Sequence, residues 1–512
     1  MKKILLPLFL VFSFLGCQNV KNEPPLPNII FFLADDLGYG ETGVYGQQKI
    51  ETPNIDALAA NGIKFTQHYS GAPVCAPARC ILLTGKHAGH AYIRGNDEWA
   101  ERGDVWNYEK ACKDPGLEGQ RPIPGNTVTI AGLLKNAGYS TAIFGKWGLG
   151  APGTGGVPQK QGFDYFYGYN CQRQAHNYFP PHLWENDKKD TLNNKIISPS
   201  TKLDAGADPY DERSYDKFFQ QDYAPEKIHE KAIAFMKANR DKPFFIYYAS
   251  PLPHVPLQAP ADWVEKYRNK FGDEEPYLGK HGYFPNRYPR ATYAAMIGYL
   301  DFQLGDLIKN LKELGIYDNT IIFFTSDNGP TYAGGVDFDF FESSKPFQDG
   351  YGRTKGFTYE GGIRIPMIVS WPGHIKPGTQ TGHISAFYDI MPTLCDIAQV
   401  DPPKDIDGIS FEPVLLGEKQ KEHRFLYWEF PSYQGQQAVR LGKWKGIRKN
   451  IFKGNMEIEL YNLENDIKEE NNVAEKYPDV VENIKMIMKR EHLPAANDRF
   501  KIKQLGDSLP AE

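Results

Sequence analysis

Short, wholly apolar runs alternate with helical stripes along most of this chain. The first run, Asn28–Ala34, carries no polar face and is bounded by turn formers. It predicts a strand buried on both faces, the type found in parallel sheets. Thr52-Pro53 predicts a helix start, with Thr52 as N-cap and Pro53 at the first helical position. Ile55, Leu58 and Ala59 make its apolar face, and Gly62 stops it. A second helix is predicted from Asn126 or Thr127 through Leu133 and Leu134 to Gly138, followed at once by a strand over 141–144. Ile228, Ala232, Phe235 and Met236 form a stripe ahead of a strand at Phe244–Ala249, and Leu300, Leu304, Leu307, Ile308 and Leu311 form another ahead of a strand at 321–325. Helix followed by buried strand, repeated, predicts a doubly wound α/β sheet. From about residue 405 the texture changes: runs at 425–430, 438–447 and 459–461 predict hairpins in a small antiparallel sheet, closed by a helix over 478–490. The expected organisation is a large α/β domain over 28–404 and a small α+β domain over 405–512.

The chain has 512 residues, 41% of them hydrophobic, and a mean hydropathy of −0.51, which fits a globular protein of more than one core. Its net charge of −5 offers no global positive field, so nucleic acid and anionic membrane surfaces are not expected partners. An anionic substrate would need a local cationic cluster. Lys2 and Lys3 precede an apolar run over 4–15, then Gly16 and Cys17. That is a signal-peptide layout, too short to span a membrane. Phe14-Leu15-Gly16-Cys17 resembles a bacterial lipobox, which implies a lipidated Cys17, a tether over 18–27 and a place in the periplasm or on the cell surface of a bacterium. Plain secretion after cleavage nearby is the alternative, and any membrane contact is expected through the lipid alone. Of six cysteines, those at 80, 112, 171 and 395 allow one or two disulfides but imply no disulfide framework and no zinc finger.

Chemistry gathers where strands end, as expected of open α/β sheets. The first strand runs into Asp35-Asp36, and the strand at 321–325 runs into Ser326-Asp327-Asn328-Gly329. Three carboxylates and an amide are hard oxygen ligands that suit Ca²⁺ or Mg²⁺ rather than zinc or copper. Residue type does not separate the two ions, and Ca²⁺ is the first expectation. The structural alternative is that Asp36 and Asn328 only cap turns. Lys146 ends the strand that begins near Thr141, His254 follows the strand ending at Ala249, and Lys355 lies in a Gly-rich segment. A lone Lys or His on a loop is ordinarily just solvated. The stretch 163–184 is dense in Tyr, Phe, His and Trp, which favours a carbohydrate ligand weakly, since aromatics also fill cores.

Cys75-Ala76-Pro77-Ala78-Arg79-Cys80-Ile81-Leu82-Leu83-Thr84-Gly85 resembles the maturation motif of the formylglycine-dependent (type I) sulfatases, which reads Cys-x-Pro-x-Arg and continues to Leu-Thr-Gly. Ala78 stands where many members carry Ser. Taken alone, Cys75 could be a buried structural thiol. Lys146, His254 and Lys355 fall in segments similar to family motifs and in the family's order, and 52–56, 389–394, 407–410 and 459–463 resemble further signatures. The resemblance runs from about residue 27 to the last helix. It implies an alkaline-phosphatase-like mixed sheet and hydrolysis of sulfate esters, with a sulfated glycan as substrate, of galactose or N-acetylgalactosamine type as first guess. It implies conversion of Cys75 to formylglycine by a dedicated maturase. One hydroxyl of the hydrated aldehyde attacks sulfur, and the other later expels sulfate. The metal ligands would be Asp35, Asp36, Asp327, Asn328 and modified Cys75. Lys146 and Lys355 would grip sulfate, His254 would protonate the leaving alcohol, and Arg79 would hold the formylglycine turn. The family usually reads Gly-Lys-Trp-His-Leu-Gly where this chain has Gly148. His176 could replace that imidazole, could read the sugar, or could be a plain surface histidine. A phosphonate monoester or phosphodiester hydrolase of the same superfamily, and a non-catalytic glycan-binding lipoprotein with unconverted Cys75, are the competing expectations.

Overall fold

The computed structural model of the protein describes residues 25–280 and 282–508. The expectations for the signal segment, for Cys17 and for the tether as far as residue 24 lie outside the described residues. In chain order the strands are β1 (Asn28–Ala34), β2 (Ile63–Tyr69), β3 (Ser140–Lys146), β4 (Tyr165–Tyr169), β5 (His182–Glu185), β6 (Lys188–Thr191), β7 (Phe244–Ala249), β8 (Thr320–Ser326), β9 (Arg364–Ser370), β10 (Thr379–Thr381) and β11 (Ser385–Ala386). They build one mixed sheet in the order β10-β2-β9-β8-β1-β7-β3-β4-β5-β6, with β11 beside β2. At its centre β8, β1, β7 and β3 are mutually parallel. Their carboxyl ends therefore lie at one edge, and β9 runs antiparallel to β8.

β1 is buried on both faces, as its apolar run predicts. Ile29, Phe31 and Leu33 enter one core, and Ile30, Phe32 and Ala34 enter the other. Helices cover both faces: Ala224–Ala238 and Pro289–Glu313 pack on the second core, and Cys75–Thr84 is buried in the first. Two expectations shift. The helix expected from Asn126 or Thr127 begins at Ile130, because Thr129 is the N-cap and its hydroxyl accepts the Gly132 N–H at 3.2 Å. The run 438–447 is not one strand. It splits into β13 (Gln436–Leu441) and β14 (Trp444–Lys449) around Gly442, whose φ of 56° only glycine adopts freely.

With β12 (Leu426–Phe430) and β15 (Glu459–Asn462) these strands form the expected four-stranded antiparallel sheet, and the last helix spans Pro478–Glu491. The five described cysteines, Cys75, Cys80, Cys112, Cys171 and Cys395, are all free and buried, so the disulfides allowed by their number are not formed among the described residues. No helix among the described residues is long and apolar enough to cross a membrane.

Candidate active site

The aligned carboxyl ends of β1, β8, β7 and β3 bring Asp35, Asp36, Asp327, Asn328, His254 and Lys146 to one place. Cys75 arrives from below, at the first position of the helix that follows β2. Its Sγ lies 3.3 Å from Asp35 Oδ1 and 3.9 Å from Asp36 Oδ1. Consecutive residues of a strand point to opposite faces, so two neighbouring carboxylates reach one sulfur only if the chain breaks that alternation. Asp36 does so with a φ of 65°, a conformation Asp tolerates better than most residues. Its N–H donates to Asp327 Oδ1 at 3.1 Å, and the Leu37 N–H donates to Ser326 Oγ at 2.9 Å, which fixes the turn. The Asn96 side-chain oxygen accepts the Ala76 N–H at 3.0 Å and satisfies an orphan donor of the nucleophile helix.

Charge is packed here out of contact with bulk solvent. Asp35, Asp36, Asp327, Asn328 and Arg79 are fully buried. Arg79 Nη2 meets Asp327 at 2.9 Å and Asp35 at 3.1 Å, and Arg79 Nη1 donates to the Lys146 carbonyl at 2.5 Å. Lys146 Nζ lies 2.6 Å from Asp35, and Lys355 Nζ lies 2.6 Å from Asp36. Burial opposes the charge on both lysines, but Asp35 beside the first and Asp36 beside the second hold them above the ordinary lysine range. Burial also works against ionised Asp35, yet Lys146 and Arg79 hold it far below the usual carboxylate range. Asp327 is pushed up to about 6 by burial and by Asp35. Burial, with Asp327 and Asp35 nearby, pushes the Cys75 thiol well above its usual range, so the unmodified thiol is a poor nucleophile.

A hard divalent cation fits this set. Asp35, Asp36, Cys75 and His254 each present an atom within 4.8 Å of the others. Asn328 Nδ2 donates to Asp36 Oδ1 at 2.7 Å, and its Oδ1 is sealed from solvent with no partner. A buried acceptor left alone beside three carboxylates is what a cation site leaves behind. Arg79 and the Asp36 N–H engage the two oxygens of Asp327.

His254 sits on the other side of the cluster. Its Nδ1 donates to the Val255 carbonyl at 2.5 Å, which leaves Nε2 facing Asp36 at 3.6 Å. His176 is not a surface residue. It is half-buried, its ring lies parallel to His254 at 5.2 Å, and Tyr283 meets it edge-on at 5.2 Å. Burial, with His254 and Lys146 close by, holds His176 well below the ordinary imidazole range.

Gly148 has a φ of 79°, and a Cβ there would meet Gln172 Cγ at 3.0 Å. Gln172 therefore fills the space that a side chain at 148 needs. We expect Gly148→His to lower stability by about 1–2 kcal/mol in chemical denaturation, from left-handed strain and crowding, and to bring no gain in rate. A stable, faster variant would show that the missing imidazole can be restored here.

The small sheet braces the site. Trp428 Nε1 donates to the Ser70 carbonyl at 2.8 Å, and Ser70 Oγ donates to the Asp327 carbonyl at 2.5 Å. Gln436 of β13 accepts the Thr358 N–H at 3.1 Å and donates to the Gly356 carbonyl at 2.8 Å, which holds the segment carrying Lys355. These supports, with Asn96, Gln172 and Tyr283, carry no sequence signal of their own, because each acts through a contact distant along the chain.

The chain is similar to known proteins. Human arylsulfatase A is 31% identical over 437 residues, covering 82% of this chain and 74% of that protein. Human N-acetylgalactosamine-6-sulfatase is 30% identical over 447 residues, covering 85% and 76%. The crystal structure of Ps i-CgsB in complex with k-i-k-neocarrahexaose superposes with a TM-score of 0.71 at 26% identity, covering 91% of this chain and 93% of that one. The profile of the N-sulphoglucosamine sulphohydrolase C-terminal region matches residues 351–494. The sulfatase profile matches residues 27–400, and the chain belongs to the sulfatase family of sulfuric ester hydrolases.

Proposed function

We propose that the protein removes sulfate from a sulfated carbohydrate, with Cys75 converted to formylglycine. The cation is one divalent ion, Ca²⁺ ahead of Mg²⁺, on Asp35, Asp36, Asp327 and Asn328. The observation that carries this reading is the meeting of Cys75 Sγ, three buried carboxylates and the Lys146 and Lys355 ammonium groups in one sealed centre. When present, the hydrated aldehyde supplies a hydroxyl nucleophile and the cation supplies Lewis-acid polarisation of the ester. Lys146 and Lys355 are positioned to bind sulfate oxygens and to offset the charge that builds on them. Arg79 orients the nucleophile helix against Asp35 and Asp327. His254 Nε2 is the atom that gives a proton to the leaving alcohol. Burial, Lys355 and Lys146 keep that imidazole neutral at rest. An anionic ester beside it supplies the compensating charge that favours its protonated form.

A carbohydrate substrate is supported by the names of the relatives, one acting on N-acetylgalactosamine 6-sulfate and one crystallised with a neocarrahexaose. Galactose- or N-acetylgalactosamine-type sulfates are the first candidates. We further infer a secreted, lipid-anchored protein that meets its maturase before use. The test is release of sulfate from an aryl sulfate and from a panel of sulfated saccharides, beside an aryl phosphate and a phosphonate monoester. Sulfate esters are expected to be preferred. Faster turnover of the phosphonate monoester would move the protein to the phosphoryl-transfer branch of its superfamily.

A further inference from the structure

Two short segments beside the candidate centre hold buried polar atoms with no partner. Among the described residues these are Asn170 Oδ1, Gln172 Nε2, Arg173 Nε and Gln174 Oε1 on one segment, and Glu98 Oε2 on the other. Native proteins leave few such atoms, and each calls for a partner from outside the chain. The first segment follows β4, where the chain turns through the short helix Gln172–His176 and stacks amide residues next to the end of β3. Gln172 is only 5% exposed, and its amide nitrogen sits 3.3 Å from where a Cβ on Gly148 would be. Absence of a side chain at 148 is what lets this amide reach in.

Glu98 belongs to the second segment. It lies two residues past Asn96, whose side chain is bonded beside the nucleophile. Burial pushes its carboxyl up to about 7, with Arg173 and Lys146 pulling the other way and Asp97 adding to the push. From Glu98 a cleft of about 620 Å³ leads outward, lined by Tyr92, Asp97, Glu101, Trp106 and Arg121. Arg121 is already engaged by Asp97 and Glu101, so Glu98 keeps an acceptor oxygen free. Trp106 is 60% exposed, with the Arg173 guanidinium 4.9 Å above its ring. An open indole face next to free amide and carboxylate groups matches a sugar, whose C–H face stacks while its hydroxyls bond.

We propose that Glu98, Gln172 and Trp106 form a saccharide subsite: Glu98 accepts from a sugar hydroxyl, Gln172 donates to a sugar oxygen, and Trp106 stacks the next ring outward. The inference rests on the carbohydrate reading above and adds a selectivity. Above about pH 7, where its carboxyl is ionised, Glu98 repels an anionic group set against it, so the subsite takes a neutral, hydroxyl-bearing neighbour and disfavours a second sulfate there.

The test compares kcat/KM on a monosulfated oligosaccharide with kcat/KM on a small aryl sulfate that carries no sugar. Glu98→Gln, Gln172→Leu and Trp106→Ala are each expected to lower that ratio by about tenfold or more, Trp106→Ala mainly through KM. Glu98→Gln is also expected to improve the relative rate on the doubly sulfated analogue above about pH 7 and not below it, which a merely structural role would not do. Activity on the aryl sulfate reports that each variant is folded, and Trp106, being exposed, is a substitution the fold tolerates. Ratios within twofold of wild type, or parallel loss on both substrates, overturn the subsite alone. A wild-type enzyme that cleaves the aryl sulfate and no sulfated saccharide overturns the carbohydrate reading and the subsite with it.

Discussion

Cys75→Ser is expected to drop sulfate-ester turnover to the background rate while the fold stays intact. The position is fully enclosed at the start of a helix whose ten residues are all buried, and Ser is smaller than Cys, so nothing need move to admit it. A serine hydroxyl cannot be hydrated to a geminal diol. If sulfate were transferred to it, no second hydroxyl on the same carbon could expel it. Asp35 beside it is engaged by Lys146 and Arg79 and is a poor base. Two measurements check this. Steady-state hydrolysis of an aryl sulfate by the Ser variant, made in a host lacking a serine-type maturase, should show no repeated turnover. Intact mass of the wild-type peptide containing Cys75 should show a species lighter than the thiol, as conversion to the aldehyde requires. Repeated turnover by the Ser variant would falsify the formylglycine reading. A wild-type peptide carrying only the thiol would return Cys75 to a structural role.

Much of this centre was readable before any fold was known, for a physical reason. A strand buried on both faces must be apolar throughout, so its end is marked by the first polar residue. β1 and β7 accordingly have the bounds their apolar runs predict, and Asp35 stands out at once. Parallel strands then bring those ends together, which makes Asp327, Lys146 and His254 neighbours without any direct sequence signal. What stayed hidden depends on backbone or tertiary detail. The left-handed Asp36 that turns two carboxylates onto one sulfur is a single φ value. Thr129 wins the helix cap over Asn126 and Thr127, both of which are acceptable cap residues, because its hydroxyl also donates to the Gln161 carbonyl at 2.6 Å. The path of Gln172 into the space beside Gly148, and the grip of Gln436 on the Lys355 segment, join residues with no shared period or motif.

Asp36→Asn is expected to lower kcat/KM by about 10²–10⁴-fold and to strip the bound cation, a loss of several kcal/mol of transition-state stabilisation. The reason lies in how the three carboxylates are balanced. Asp35 has Lys146 and Arg79, and Asp327 has Arg79. Asp36 has Lys355 at 2.6 Å and the Asn328 amide at 2.7 Å. If Lys355 swings from Asp36 to a sulfate oxygen, as its proposed role requires, Asp36 is left facing Asp35 and Asp327 in a site closed to water. Only a cation makes that arrangement favourable, since isolated buried carboxylates are strongly disfavoured. Asn keeps the size and the backbone geometry but removes the charge, so cation affinity should fall while the fold, read by thermal melting, survives. Dialysis of the wild-type enzyme against a chelator should reproduce the loss, and added Ca²⁺ should reverse it there but not, at the same concentration, in Asp36→Asn. Asn328→Ala should lose less, because it removes one neutral oxygen ligand and no charge. Wild-type rate together with wild-type metal content in Asp36→Asn would mean the cation sits elsewhere, and the free Asn328 Oδ1 would then need another partner.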